Sequence, residues 1–411
     1  MKHSKKTNSK KVKKTSGFPV LASVKVVGIG GGGGNAVERM SKNFTRGVDF
    51  IAINTDHQDL DQCNVRQKIY IGRNLTKGLG TGMNPDLGRQ AAEENRSEIS
   101  EALKGADLIF LTAGLGGGTG TGATPIVAEA ARQTGALTIA VVTRPFGFEG
   151  SQRERLAQEG LLKLRDKVDA LIVVPNDRVF TIINKDTPII KAFEAIDDVL
   201  RNALRGLVDV IASPGIINVD FADVRSVLQD AGAAIVGIGS GTGQDRATTA
   251  INAAMNSPLL EIGAEGAKSV LLGISGGSDL KMSEINDAAK LVAQMADPAA
   301  KIIFGAYRDR NLRPNSIRVT LIATGFNGAA KNSLFSGFSN GNGRATGVFG
   351  GAKDDHDVTV KPAVASRVLP IVLEDDAAED NPMAAKRGAE EKNDKKEDVW
   401  DIPTFLRKRK K

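Results

Sequence analysis

Two glycine runs, Gly28–Gly34 and Gly114–Gly122, are the residues of this chain whose types and spacing could do chemistry. In the second run the glycines are broken only by Leu115, Thr119 and Thr121. The run lies between an apolar, β-prone stretch, Leu108 to Ala113, and the helical pattern IVAEAARQ that follows Pro125. A buried strand, a glycine loop and a helix N-terminus together make a site for phosphate. Glycine removes the Cβ that would hold an anion off the backbone, successive N–H groups point into the concavity, and the helix dipole adds partial positive charge. Thr119 and Thr121 add hydroxyl donors. A flexible linker would not be framed by a strand and a helix.

In the first run, Gly28, Gly30 and Gly33 match G-x-G-x-x-G after a strand at Val24 to Val27, with a helix AVERMSKN to follow. A second strand, Phe50 to Ile53, ends in Asn54-Thr55-Asp56, where an acid could hold a ribose hydroxyl. Alone, this is a dinucleotide fingerprint and points to an NAD-dependent oxidoreductase. A dehydrogenase has no use for a second glycine loop, however. Two such loops on neighbouring strands suit one mononucleotide whose di- or triphosphate is gripped from both sides. The pattern G-x-x-x-x-G-K-[ST] is absent, which disfavours a Walker-type NTPase.

Composition narrows the chemistry further. Cys63 is the single cysteine, which excludes disulfide scaffolds and cysteine-built metal sites. Of the three histidines, His3 and His356 fall in segments that read as disordered, which leaves only His57 and argues against histidine catalysis. The chemistry therefore falls to carboxylates, backbone amides and a metal carried by the ligand, with none held by protein side chains alone. No run approaches the roughly 20 apolar residues of a membrane span, and no apolar segment follows the basic N-terminus as in a signal peptide, so a cytoplasmic protein is expected. The net charge of +7 is carried by the ends: seven lysines and no acids stand in the first twenty residues, and Arg407 to Lys411 are all basic. The body between is mildly acidic, so no nucleic-acid partner is required.

These residues need elements to position them. Residues 1–20 read as a disordered basic arm, and 21–187 as a nucleotide-binding domain. Its strands and helices alternate into a doubly wound, Rossmann-like α/β sheet, with loops gathered at the strands' carboxyl ends. Those loops include Gly78 to Pro85, Thr143 to Arg153, and Asn176-Asp177-Arg178 after strand ALIVVP. Glu149 and Arg153, four apart, would share a helical face, as a plain surface ion pair also does. Residues 188–212 form a long central helix whose apolar face carries Ile189, Phe193, Ile196, Leu200, Leu204, Leu207 and Ile211. A second α/β domain is expected over 213–327, a disordered linker over 328–398, and a partner-binding peptide over 399–411. By position alone, Asp220 is a cap for the helix after it, with Asp223 at the third residue.

The loop GGGTGTG (Gly116 to Gly122) resembles the signature of the tubulin/FtsZ GTPase family, in its bacterial form. GIGGGGGNAV (Gly28 to Val37), NTD (Asn54 to Asp56), PFGFEGSQR (Pro145 to Arg153), PNDR (Pro175 to Arg178) and NVDFADV (Asn218 to Val224) resemble family loops in family order. The match covers roughly residues 20 to 327, and Asp401 to Leu406 resembles the family's C-terminal peptide. The resemblance implies a GTPase that polymerises head to tail into the bacterial division ring at mid-cell, with GTP/GDP and Mg²⁺ as cofactors. It implies phosphate contacts from Gly31, Gly32, Gly33, Gly34 and Asn35 and from Gly117, Gly118, Thr119, Gly120 and Thr121. Asp56, Glu149 and Arg153 would meet the ribose and nucleotide; Asn176, Phe193 and Asp197 would meet guanine, although Phe193 already has a place on the helix's apolar face. Asn218, Asp220 and Asp223 would reach into the next subunit's site, the carboxylates orienting the attacking water. Asp401, Ile402, Pro403, Phe405 and Leu406 would dock on membrane-tethering division proteins, so that contact with the membrane is indirect. Thr81 and Met83 stand where many members carry Ala. The remaining alternative within the family is a filament scaffold that does not hydrolyse, which should lack the carboxylate pair.

Overall fold

The computed structural model describes residues 22–42, 47–181, 186–212, 215–256, 265–309 and 312–326. The basic arm, the 328–398 linker and the terminal peptide with Asp401, Ile402, Pro403, Phe405 and Leu406 lie outside the described residues. So do the side chains of Ile189, Phe193, Asp197 and Ile211.

Six parallel strands carry the glycine runs: β1 (Val24–Ile29), β2 (Val48–Asn54), β3 (Gln67–Tyr70), β4 (Leu108–Gly114), β5 (Leu137–Arg144) and β6 (Ala170–Pro175), in the order β3-β2-β1-β4-β5-β6. The central strands are apolar on both faces because helices cover both. Along β1, Val24 and Val26 join one core and Val27 and Ile29 the other. The first core takes in Ala36, Val37 and Met40 of α1 (Gly30–Ser41) and Leu60 of α2 (His57–Gln62). After α3 (Arg73–Thr76), the second core is built from α4 (Pro85–Glu94), α5 (Arg96–Leu103), α6 (Thr119–Gln133) and α7 (Ser151–Arg165).

Both glycine runs differ from the loops expected of them. α1 begins at Gly30 and α6 at Thr119, so Gly30 to Gly34 of the first run and Thr119 to Gly122 of the second are helical, and Pro125 lies inside α6 rather than before it. Close packing explains this. A Cβ on Gly33 would sit 2.4 Å from the Thr112 carbonyl oxygen, and one on Gly120 would sit 2.5 Å from that of Gly114. The lost side chains let both helices lie against β4, which offsets glycine's poor helix propensity of about 1 kcal/mol per residue.

The long helix α8 (Ile189–Ala212) spans about 36 Å. Its Leu200, Leu204 and Leu207 are buried in a core shared with Leu271, Tyr307 and Ile322, so one face serves both halves of the chain. The Tyr307 hydroxyl donates to the Val210 carbonyl at 2.9 Å. Beyond α8 come β7 (Gly215–Ile217), α9 (Phe221–Leu228), β8 (Gly232–Thr242), α10 (Arg246–Met255), β9 (Ser269–Gly276), α11 (Met282–Met295), β10 (Lys301–Arg308) and β11 (Ser316–Thr324). They continue the same sheet as β6-β8-β11-β9-β10-β7. β11 runs antiparallel to β8 and β9, and the joint between β6 and β8 is only two residue pairs long, Ala170 with Gly232 and Leu171 with Ala233.

Candidate functional site

The carboxyl ends of β1, β4, β5 and β6 open onto a cavity of about 310 Å³. Two helix N-termini meet at its floor, α1 behind Ile29 and α6 behind Gly118, and neither has a side-chain cap. The first turn of a helix has no intrahelical partners for its N–H groups, so two uncapped starts leave a set of donors and two positive dipole ends facing one spot. Their approach depends on Gly30, which has φ 71°; a Cβ there would meet the Gly120 nitrogen at 2.9 Å. Such a floor is built for a polyphosphate.

Gly31, Gly32, Gly117, Gly118, Thr119 and Gly120 line the cavity. The other glycine-run residues are placed differently. Gly33 packs on β4, Gly34 is buried within α1, and Asn35 is exposed on that helix. Thr121 is buried, and its hydroxyl accepts from the Gly116 amide at 2.9 Å, steadying the turn before α6. Asp56 is the N-cap of α2, accepting from the Asp59 amide at 3.2 Å, and is not among the cavity's lining residues. Glu149 and Arg153 stand on the wall, joined by a 3.0 Å ion pair, and Glu149 also accepts from the Phe146 amide at 2.9 Å. Asn176, just past β6, is buried at the cavity, and its side-chain oxygen has no hydrogen-bond partner among the described residues. An orphaned buried acceptor is costly unless a ligand donates to it. Ile196 and Leu200 of α8 close the apolar side, on the helix that also carries Phe193 and Asp197.

Three further residues belong to this place and were not singled out as site residues from the sequence. Thr81, on the loop before α4, lines the cavity with its hydroxyl 3.2 Å from that of Thr119, and the Thr55 hydroxyl lies 2.7 Å from Thr119 on the other side. The Asp59 carboxylate approaches Gly31, where a Cβ would sit 3.2 Å from Oδ2, and accepts from the Asn54 side-chain amide at 2.7 Å. Burial, and then the neighbouring Asp56, push the Asp59 carboxyl above its ordinary range. The only signals were the NTD triplet around Thr55, the glycine-rich setting of Thr81 and the one-turn spacing of Asp56 and Asp59.

Asn218, Asp220 and Asp223 are elsewhere. Asp220 occupies the N-cap position of α9, but its side chain makes no cap hydrogen bond, contrary to the capping its position suggests; Asp220 is exposed and Asp223 half-buried. The Asn218 side-chain oxygen accepts from the Gly215 amide at 2.6 Å. Arg225 of the same helix donates to the Gly135 carbonyl, just before β5, whereas the cavity lies at that strand's other end, roughly 26 Å away over eight residues. One chain therefore does not bring these acids to its own cavity. Among the described residues, no group of three or more His, Cys, Asp or Glu could hold a metal ion.

A parallel sheet with a polyphosphate floor and an orphaned amide beside it defines a nucleotide-binding protein. The GTPase-domain model of the Tubulin/FtsZ family matches residues 23–184, and the FtsZ-family C-terminal domain model matches residues 232–327. An empty FtsZ dimer from M. jannaschii is 45% identical over 74% of this chain and 88% of that one, with a TM-score of 0.70. CetZ2 from Haloferax volcanii, solved as a GTPγS-bound protofilament, shares the fold at 22% identity and a TM-score of 0.64, over 76% of this chain and 96% of that one. The chain belongs to the tubulin/FtsZ family of polymerising cytoskeletal GTPases.

Proposed function

We propose that this chain hydrolyses GTP between successive subunits of a head-to-tail filament that builds the bacterial division ring. The observation that carries this reading is the separation of the parts. The cavity has phosphate donors on its floor, and among the described residues its lining carboxylate is Glu149, which is engaged by Arg153 and the Phe146 amide. Two acids with no cap to make stand at the opposite end, ready for a neighbour's cavity. Phosphoryl transfer asks mainly for positioning and charge compensation, which Asp220, Asp223 and Asn218 of one subunit can supply to a nucleotide held by the next. Apolar side chains for such a contact are present at both ends: Phe148 and Phe180 are 69% and 55% exposed near the cavity, and Ile216 is 66% exposed beside Asn218.

In this reading Gly31, Gly32 and Gly117 to Gly120 hold the phosphates, Glu149 and Arg153 the ribose side, and Asn176 with Phe193 and Asp197 the guanine. Mg²⁺ would come with the nucleotide, its shell drawn from phosphate oxygens and water. That suits an ion that keeps its waters and asks few protein ligands. The protein would work in the cytoplasm at mid-cell, tethered to the membrane through proteins that bind Asp401, Ile402, Pro403, Phe405 and Leu406. Among the described residues, no helix is long and apolar enough to cross a membrane.

The test is GTP turnover per subunit against protein concentration, with a mixing arm. Turnover should rise from near zero as filaments form. Asp223→Ala should bind GTP without cleaving it. Gly118→Asp, which blocks the cavity, should be inactive alone yet restore turnover when mixed with Asp223→Ala. Dilution-independent turnover, or two dead variants that stay dead in co-assembled filaments, would refute the shared site.

A further inference from the structure

Three threonine hydroxyls from three separate elements meet at the phosphate floor. Thr55 follows β2, Thr81 lies on the loop before α4, and Thr119 opens α6. Thr119 is the centre, with its oxygen 2.7 Å from that of Thr55 and 3.2 Å from that of Thr81. All three are buried, at 0%, 8% and 8% exposure for Thr55, Thr81 and Thr119. The contact is tight: a Cβ on Gly118 would fall 2.2 Å from the Thr81 oxygen.

Counting protons gives this arrangement a direction. A threonine hydroxyl has one hydrogen to donate and two lone pairs to accept with. Thr55 has no access to water, and the Thr119 oxygen is the acceptor its side chain reaches; a buried donor must be paired, so Thr55 donates to Thr119. Thr119 then has one lone pair and its own proton left. If Thr81 donates to that lone pair, the Thr119 oxygen is saturated and its proton can go only into the cavity.

We propose that Thr55 and Thr81 are positioning residues that together turn the Thr119 hydroxyl proton onto a phosphate oxygen of the bound nucleotide. The inference rests on the cavity being the phosphate site. Thr119 makes the contact; the other two hold it in the donating orientation. A negatively charged acceptor favours this arrangement over one in which Thr119 donates to Thr81, because a hydrogen bond to an ionised group is about twice as strong as one between neutral groups. The consequence is that a residue on the loop before α4 affects phosphate affinity without touching phosphate.

The experiment uses the full chain and measures displacement of a fluorescent guanine nucleotide by GTP and by GDP. Thr81→Val keeps the shape and removes the hydroxyl; it should weaken binding about tenfold, the size of one lost charge-assisted hydrogen bond. Thr81→Ser should bind as the parent does, and Thr55→Val should repeat the loss seen with Thr81→Val. In a Thr119→Val background, Thr81→Val should cost nothing more, since there is no longer a hydroxyl to orient. Parent affinity in Thr81→Val would overturn the proposal. So would an undiminished further loss in the Thr119→Val background, which would mean that Thr81 meets the nucleotide itself or only shapes the wall. If Thr81→Val lost its circular-dichroism signature, the same cycle run with Thr55→Val would decide. A parent chain that bound neither nucleotide would instead remove the assignment of the cavity, a result distinct from any of these.

Discussion

Replacing Gly122 with alanine sets two effects of opposite sign against each other. Gly122 lies inside α6, where alanine is the better helix former by about 1 kcal/mol, so local propensity alone predicts a more stable protein. Packing predicts the reverse. A Cβ at Gly122 would stand 1.9 Å from the Pro85 carbonyl oxygen and 2.7 Å from the Arg89 nitrogen, both backbone atoms of α4. No rotamer change relieves a clash with backbone, so α4 would have to retreat by roughly 1 Å along the face it shares with α6. Overpacking of this kind costs about 1–3 kcal/mol, and a backbone obstacle belongs at the upper end. The net expectation is a loss of about 2 kcal/mol. α4 is preceded by Thr81 and capped by Asn84, so its displacement should also weaken GTP binding. Urea denaturation of the folded body gives the first quantity, and competition against a fluorescent guanine nucleotide gives the second. Gly34→Ala is the matched comparison: it is also inside a helix, but with nothing within 4 Å of the added Cβ, and should gain up to about 1 kcal/mol. If Gly122→Ala proved as stable as the parent or more so, the close approach of α4 and α6 would not be what selects glycine there.

Two other outcomes follow from charge. The Asp59 carboxyl titrates above its ordinary value because burial and Asp56 disfavour its charge, so the native state binds that proton more tightly than the unfolded chain does. Stability therefore falls as pH rises through that titration, and Asp59→Asn should stabilise the protein at neutral pH, the gain fading as pH drops toward 3.8. It should also tighten GTP about two- to fivefold by removing a like charge beside Gly31, measurable by calorimetry as a difference that shrinks in acid. In the second half of the chain, Arg246 is 3% exposed between Glu284 and Asp279, and these acids hold its guanidinium above the ordinary arginine range. Arg246→Leu should cost about 3 kcal/mol by stranding Glu284, which is 13% exposed, whereas Asp279 at 44% can be met by water. Adding Glu284→Leu should recover much of that loss in the same denaturation assay. A single variant within 1 kcal/mol of the parent would show that water already reaches the pair.

The sheet was legible from residues because its central strands are short apolar runs closed by glycine or polar turns. Leu108 to Ala113 and Leu137 to Val142 lie within β4 and β5. The apolar face of the long helix was legible for the same reason, a sustained period, and Ile196, Leu200, Leu204 and Leu207 are buried as that period implies. The helix starts were not. Gly30 to Gly34 read as loop on propensity, and only the approach of α1 to β4, a tertiary fact, makes them helical. β7 escaped notice because three residues at a sheet edge carry no period. At the site, glycines announce themselves by number, whereas Thr55 and Thr81 matter because their hydroxyls meet that of Thr119, 64 and 38 residues further on, which no spacing rule anticipates.

The length of β5 separates the nucleotide cavity from the acids on α9, and stacking such molecules in a row turns that separation into a direction. Every interior junction would hold a complete set of parts, but the two tips would not match. One tip would carry nucleotide with no acids laid over it, and the other would carry acids with nothing to act on. Growth and loss at the tips would then follow different chemistry, and the polymer would tell its front from its back.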